Sequence, residues 1–423
     1  MRLDAAVYSY CASAPRYVEC LAALIVMSAI TGCGTDPGFV PPPTNGPTTN
    51  VIDGNRDAPS TGMSGKTSGE PNGSFLQAIV AVFDEEGTAR LQGTVADVGD
   101  LDVFLLGPLS PGDRLIVDAD TTGSLLDISV GIFDAAERLV YNNDDRGGSS
   151  ARFLDSYIEW VVRHGDDRYY LVATHSAFAG SGGYTGTYKI DVQASGGFAV
   201  PGPVGQALLL DFDGAVVDFP TLGLVTLDPF DAAPISPFYR GQTETIKEVI
   251  RAVFEQNFGP FNVDIWTTDD PPPSGTQFST VYFGGFDAGA FGIAEDVDLY
   301  NVDFCDDAII FTESFGPHLF SSVPTALELG IAIGNVGSHE AGHLLGLNHV
   351  DDDHALMDDQ SAADAFIEDQ EFMEAPLSSD IMSIGTQDAV LLLNEIVGLR
   401  PDDDPAQRMG SALFTSHRRF WGK

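Results

Sequence analysis

The chain has 423 residues and a formal net charge of −42, from 62 acidic against 20 basic residues, with 43% apolar and 10% aromatic residues. That length fits one to three domains, and the apolar content excludes wholesale disorder. The charge repels phosphate backbones and argues against nucleic acid as a partner. It suits a salty or calcium-containing medium, through plain solubility or through specific calcium sites.

Residues 21–30, LAALIVMSAI, form an apolar run too short to span a bilayer and of the length of a signal-peptide core. Residues 30–33, ITGC, follow and resemble the lipobox of bacterial lipoproteins. The resemblance implies that Cys33 is lipidated and becomes the first residue of the mature chain. An ordinary cleaved signal is the alternative. Either reading exports the chain, to the cell surface or outer membrane on a lipid anchor or into the medium. The cysteines are Cys11, Cys20, Cys33 and Cys305. Removal of the signal leaves Cys305 as a buried free thiol with no intrachain partner.

The expected organisation is a signal over residues 1–33, a flexible Pro/Gly/Thr/Ser-rich linker over 34–74, an all-β domain over 75–195, a short linker over 196–206, a catalytic domain over 207–400 and a mobile tail over 401–423. In the all-β domain, strand-like phrases at residues 102–106, 114–119, 128–133, 157–162, 169–174 and 188–192 alternate with turn signals such as SPGD and NNDDRGG. This spacing predicts an antiparallel sandwich. The phrases GDLDVFLL, PGDRLIVDAD, VGIFDAAERLVYNNDD and DRYYLVATHSAFAGSGGYTGTYKIDV resemble the bacterial pre-peptidase C-terminal domain. That resemblance implies an accessory module attached to a secreted peptidase. Asp100, Asp102, Asn143, Asp144 and Asp145 are candidate calcium ligands there.

Beyond residue 206, ALLLDFDG reads as a buried strand and residues 243–256 as a helix with Ile246, Val249, Ile250 and Phe254 on one face. FNVDIWTT, STVYFGG and AIIFTESF read as further strands, a long helix begins near residues 322–324, and a last helix over 386–397 stops at Gly398. Strands alternating with long helices predict an α/β (α+β) domain.

The chemistry concentrates in residues 338–359, SHEAGHLLGLNHVDDDHALMDD. His339 and His343, four apart, share one helix face, and Glu340 lies one step round it. A third ligand six residues later requires the helix to stop, and Gly346 stands where the break is needed. His349 then returns to the same point. Three neutral histidines with one position left for water form a catalytic zinc arrangement rather than a structural one, with Glu340 placed to move protons during amide hydrolysis.

The pattern HExxHxxGxxH resembles that of the metzincin clan of zinc endopeptidases. The resemblance implies that His339, His343 and His349 bind zinc and that Glu340 is the general base. It also implies a mixed sheet, an active-site helix and a methionine in a turn beneath the metal. The Ala-Leu-Met triplet and spacing of Met357 are similar to the matrixin branch; Met382, in SSDIMSIG, is the alternative. Asp351, Asp352 and Asp353 are candidates to orient the histidines, with solvated loop residues as the plainer reading. His354 fits no ligand spacing.

Together these readings predict an exported, membrane-anchored zinc endopeptidase, a monomer acting on protein or peptide substrates. Residues 351–383, including QEFMEAPL, are expected to shape specificity. One alternative is a lipid-anchored, calcium-dependent binding or adhesion protein with an inactive zinc helix. Another comes from LLLDFDG, residues 208–214, which resembles the nucleophile motif of haloacid-dehalogenase-type phosphatases, with Asp211 as nucleophile and Asp213 as acid/base.

Overall fold

The computed structural model describes residues 70–147, 152–180, 182–359 and 362–400. The signal with Cys33, nearly all of the 34–74 linker and the tail from residue 401 lie outside the described residues.

The first lobe is built by alternation. Its strands are β1 (Ile79–Val80), β2 (Thr88–Val95), β3 (Asp102–Leu109), β4 (Arg114–Asp120), β5 (Ile128–Phe133), β6 (Leu139–Asn143), β7 (Tyr157–Val161), β8 (Asp166–His175) and β9 (Gly186–Ser195). In β4 and β9 every second residue is buried, the period of a strand with one face on a core and one in water. β5, with ISVGIF, is buried throughout. The described strands form two sheets, β1-β3-β8-β5-β6 and β2-β9-β4-β7, antiparallel except for the β1–β3 pair. Leu115, Val117, Ile128, Ile132, Trp160, Leu171 and Ile190 fill the space between them. The phrases in residues 102–192 all fall in strands, and β1, β2 and β6 complete the two sheets.

The second lobe contains β10 (Gln206–Asp211), β11 (Ala215–Phe219), β12 (Gly223–Leu227), α1 (Thr243–Asn257), β13 (Val263–Thr267), β14 (Ser279–Phe283), β15 (Gly292–Ala294), β16 (Asp307–Ile310), α2 (Ala326–Leu344), β17 (Glu374–Pro376), β18 (Thr386–Asp388) and α3 (Ala389–Ile396). Its sheet runs β13-β10-β14-β16-β15. The first four strands are parallel and the edge strand β15 is antiparallel to β16, which makes the sheet mixed. Helix α1 packs against α2, which in turn packs on β14, β15 and β16. Sixteen of the 19 residues of α2 are buried, so this is a central helix, covered on all sides. It starts at a capping box: Thr325 Oγ1 accepts from the Glu328 N–H at 3.2 Å and the Glu328 carboxylate accepts from the Thr325 N–H at 2.7 Å.

The two lobes share an extensive seam. Tyr300 stacks on Tyr141 and Trp160, lies under the Arg163 guanidinium, and donates its hydroxyl to Val140 O at 2.9 Å. His164 meets Glu395 at 2.6 Å, and Arg138 meets Asp388 at 3.4 Å. Such density of buried aromatic and charged contacts is not that of a loosely tethered module.

Three further expectations concern Cys305, the sandwich turns and the end of β10. Cys305 is half-buried rather than buried; the chain's other cysteines lie outside the described residues. Calcium at the sandwich turns gains no support: Asp102 is buried and bonded to Asn72 and Tyr188, Asn143 bonds Tyr157 N–H, and Asp144 accepts from Ser176. Among the described residues, the groups able to share an ion lie elsewhere. Asp211 accepts the Asp213 N–H at 2.8 Å, closing a turn at the end of β10.

Candidate metal centre

Helix α2 presents His339 and His343 one turn apart and then ends where the glycine stands. Gly346 has φ +84°, the Gly346 N–H donates to His343 O at 2.8 Å, and the Leu347 N–H donates to Gly342 O at 2.9 Å. These two bonds make a Schellman termination, which turns the chain back across the helix end. A side chain at Gly346 would also meet Asp298 O at 2.7 Å. The reversal carries His349 to the two helical histidines.

The three imidazoles converge through one nitrogen each. His343 Nε2 lies 3.1 Å from both His339 Nε2 and His349 Nε2. Tetrahedral ligands about 2.05 Å from zinc stand ~3.3 Å apart, so the spacing fits a single ion. The opposite nitrogens are engaged: His339 Nδ1 donates to Leu356 O at 2.8 Å, His343 Nδ1 to Leu347 O at 2.7 Å and His349 Nδ1 to Asp380 Oδ2 at 3.0 Å. With Nδ1 protonated in each ring, every Nε2 turns a lone pair inward. Burial, aided by His349, lowers His339 to about 3, and the same causes hold His343 well below its ordinary value. For His349 burial also opposes charge, but the bond to Asp380 outweighs it and the net direction is upward.

Glu340 is 1% exposed and sits beside this cluster, against the edge strand. Its carboxylate accepts from the Ala294 N–H on β15, and Oε2 has no protein partner. Burial pushes it up to about 8, against the opposing effects of His349 and the Ala294 N–H. Gly292 makes the approach possible: a Cβ there would lie 2.7 Å from Glu340 Oε1. A cleft beside Glu340 and His339 is lined by Phe291, Val336, Leu356, Asp359, Phe366 and Gln370. Gln370 is the residue of QEFMEAPL that reaches it.

The aspartates following His349 do not orient it. Asp351 and Asp353 are exposed, Asp352 caps the His354 N–H at 3.0 Å, and His354 is itself exposed. The carboxylate at His349 is Asp380, 31 residues away in sequence. Behind it stands Asp359, whose Oδ2 accepts from Ser378 Oγ. His349, Asp359 and Asp380 are close enough to share an ion, but the Nδ1–Oδ2 hydrogen bond already accounts for the first and third. No spacing rule links residue 380 to residue 349, and SSDIM signalled only a turn.

Both candidate methionines are buried, in different places. The Met357 sulfur lies against the helix turn at Gly342, 2.5 Å from where a Cβ there would stand. Met382 packs on Phe133 and Gly131 of the sandwich.

The geometry is that of a three-histidine metal centre with a helix-borne carboxylate on its open side. No family model matches the chain, and a search of curated proteins returned no match. Solved structures that resemble parts of it include archaemetzincin from Methanopyrus kandleri (14% identity, 39% of this chain and 92% of that one, TM-score 0.22). They also include the pre-peptidase C-terminal domain of a Bacillus anthracis collagenase (12% identity, 31% and 100%, TM-score 0.20). A periplasmic inhibitor of g-type lysozyme from Aeromonas hydrophila is similar to a comparable extent (10% identity, 28% and 96%, TM-score 0.22). At these scores the likenesses carry no functional argument, and the site is read on its own geometry.

Proposed function

We propose that the chain is an exported zinc endopeptidase, anchored through Cys33, that hydrolyses peptide bonds in protein or peptide substrates. The observation that carries the reading is the convergence of three Nε2 atoms at 3.1 Å beside a buried carboxyl with a free oxygen. His339, His343 and His349 would hold the ion, which when bound supplies Lewis acidity toward a water and a scissile carbonyl. Glu340 takes a proton from the attacking water and returns it to the leaving amine. β15 is an edge strand beside Glu340, so an extended substrate pairs with its open side. A neighbouring side chain then enters the cleft between Phe291, Val336 and Phe366.

The rival reading, a calcium-dependent binding protein with an inactive zinc helix, makes Glu340 dispensable. Glu340→Gln in the full chain separates the two. A peptidase keeps its zinc, measured by metal analysis, and loses cleavage of a peptide library; full cleavage by that variant overturns the mechanism.

A further inference from the structure

We infer that the β-sandwich is a working part of the metal centre: through Asn142 it fixes the residue that precedes the third histidine. The inference rests on reading His339, His343 and His349 as metal ligands. Two of these ride on α2 and are placed by the helix. The third lies past the break at Gly346, so its position depends on whatever pins residues 347–349.

Asn348 is one of the pins, beside the Ser378 N–H that donates to His349 O at 3.2 Å, and all four of its polar groups are bonded. Its N–H donates to Gln387 Oε1 at 2.7 Å and its carbonyl accepts from Gln387 Nε2 at 2.8 Å. Its side chain forms a reciprocal amide pair with Asn142 on β6, donating at 3.1 Å and accepting at 3.3 Å across 206 residues of sequence. Gln387 is fully buried, and its chain neighbours are themselves tied to the sandwich. The Thr386 N–H donates to Glu137 O at 3.1 Å, and Asp388 pairs with Arg138. Both partners of Asn348 therefore belong to, or hang from, the turn and strand at residues 137–142.

A second contact reaches the same chain reversal from the other side. Tyr300, held among Tyr141, Trp160 and Arg163, belongs to the loop that backs Gly346. In that loop the Asp298 N–H donates to His343 O at 3.0 Å. The segment from His343 to His349 is thus held between the zinc helix and the sandwich. A reciprocal amide pair needs both a donor and an acceptor on each side, so truncating Asn142 leaves the Asn348 amide with neither bond.

The test uses the full chain and zinc affinity measured by competition with a chromophoric chelator, beside thermal unfolding. Asn142→Ala is expected to weaken zinc binding about tenfold, as loss of an outer partner does. Asn142→Leu, which keeps the side-chain volume and neither bond, should lose as much as Asn142→Ala. Asn348→Ala combined with Asn142→Ala should be no worse than Asn348→Ala alone, because both remove one interaction. Val117→Ala, in the sandwich core, should lower the unfolding midpoint and leave zinc affinity unchanged. Wild-type affinity in both Asn142 variants, additive losses, or an equal loss in Val117→Ala overturns the inference. A wild-type chain that binds no zinc overturns the metal-site reading itself.

Discussion

His349 and Asp380 form a hydrogen-bonded pair, Nδ1 to Oδ2 at 3.0 Å, on the side of the ring away from the point where the three histidines meet. The other two rings use backbone carbonyls for the same purpose. A carboxylate acceptor makes the imidazole a more basic ligand and fixes its tautomer. Asp380→Ala should therefore weaken zinc binding by about 10- to 100-fold. Asp380→Asn, which retains an acceptor, should lose less. Chelator competition reads both, and equal affinities for the wild type and Asp380→Ala would show that the carboxylate does not act on the ligand.

Glu340 and Gly292 occupy one space between α2 and β15. A methyl group at position 292 would stand 2.7 Å from the Glu340 carboxylate. Gly292→Ala is expected to displace that carboxylate by a substantial fraction of an ångström and to lower kcat/KM on the order of 10²-fold. The histidines are untouched, so metal content should stay at the wild-type level. Steady-state kinetics with metal analysis on the same sample checks the split.

Gly346 turns the chain with φ +84° and has backbone atoms of Asp298, Leu299 and Tyr300 within 3 Å of where its Cβ would lie. Gly346→Ala combines left-handed strain with a clash against backbone and should cost at least ~1–3 kcal/mol. Urea unfolding measures it. Zinc affinity should fall as well, since His349 is placed by this turn.

His164 links the lobes, bonded to Glu395 at 2.6 Å with Asp134 at 3.6 Å. These carboxylates, Asp134 first, raise it to about 9 against the opposing effect of burial. A raised histidine stabilises the fold fully below its unfolded value of about 6.5, and the contribution is lost as pH rises through the folded value. Unfolding free energy should fall by up to about 2 kcal/mol between pH 6.5 and 9 from this group. His164→Gln should flatten that part of the profile. An unchanged slope would place the dependence elsewhere.

The local features were legible because local sequence specifies them. The spacing of His339, His343 and Glu340 needs only helical periodicity, and Gly346 needs only the rule for ending a helix. The phrases ISVGIF and RLIVDA announce strands by composition, and α1 by the interval between Ile246, Ile250 and Phe254. The hairpin of β11 and β12 leaves no such mark, since residues 215–227 show no clean alternation and Val216 and Leu224 stay exposed. Among the aspartates, Asp351, Asp352 and Asp353 drew attention by adjacency to His349, yet adjacency in an exposed loop does not aim a carboxylate at a ring.

What the sequence determined by itself is the spacing of the three histidines, the bend between them and the strand-rich and helix-bearing halves of the chain, all consequences of periodicities a few residues long. What only tertiary structure decided is which groups stand behind those side chains: Asp380 at His349, Gly292 beneath Glu340, Asn142 against Asn348, and the separate resting places of Met357 and Met382. Each depends on two segments meeting after the backbone has packed. A hydrogen bond between residues 31 or 206 positions apart leaves no period in the sequence, because its geometry is set by the sheets and helices that carry its ends.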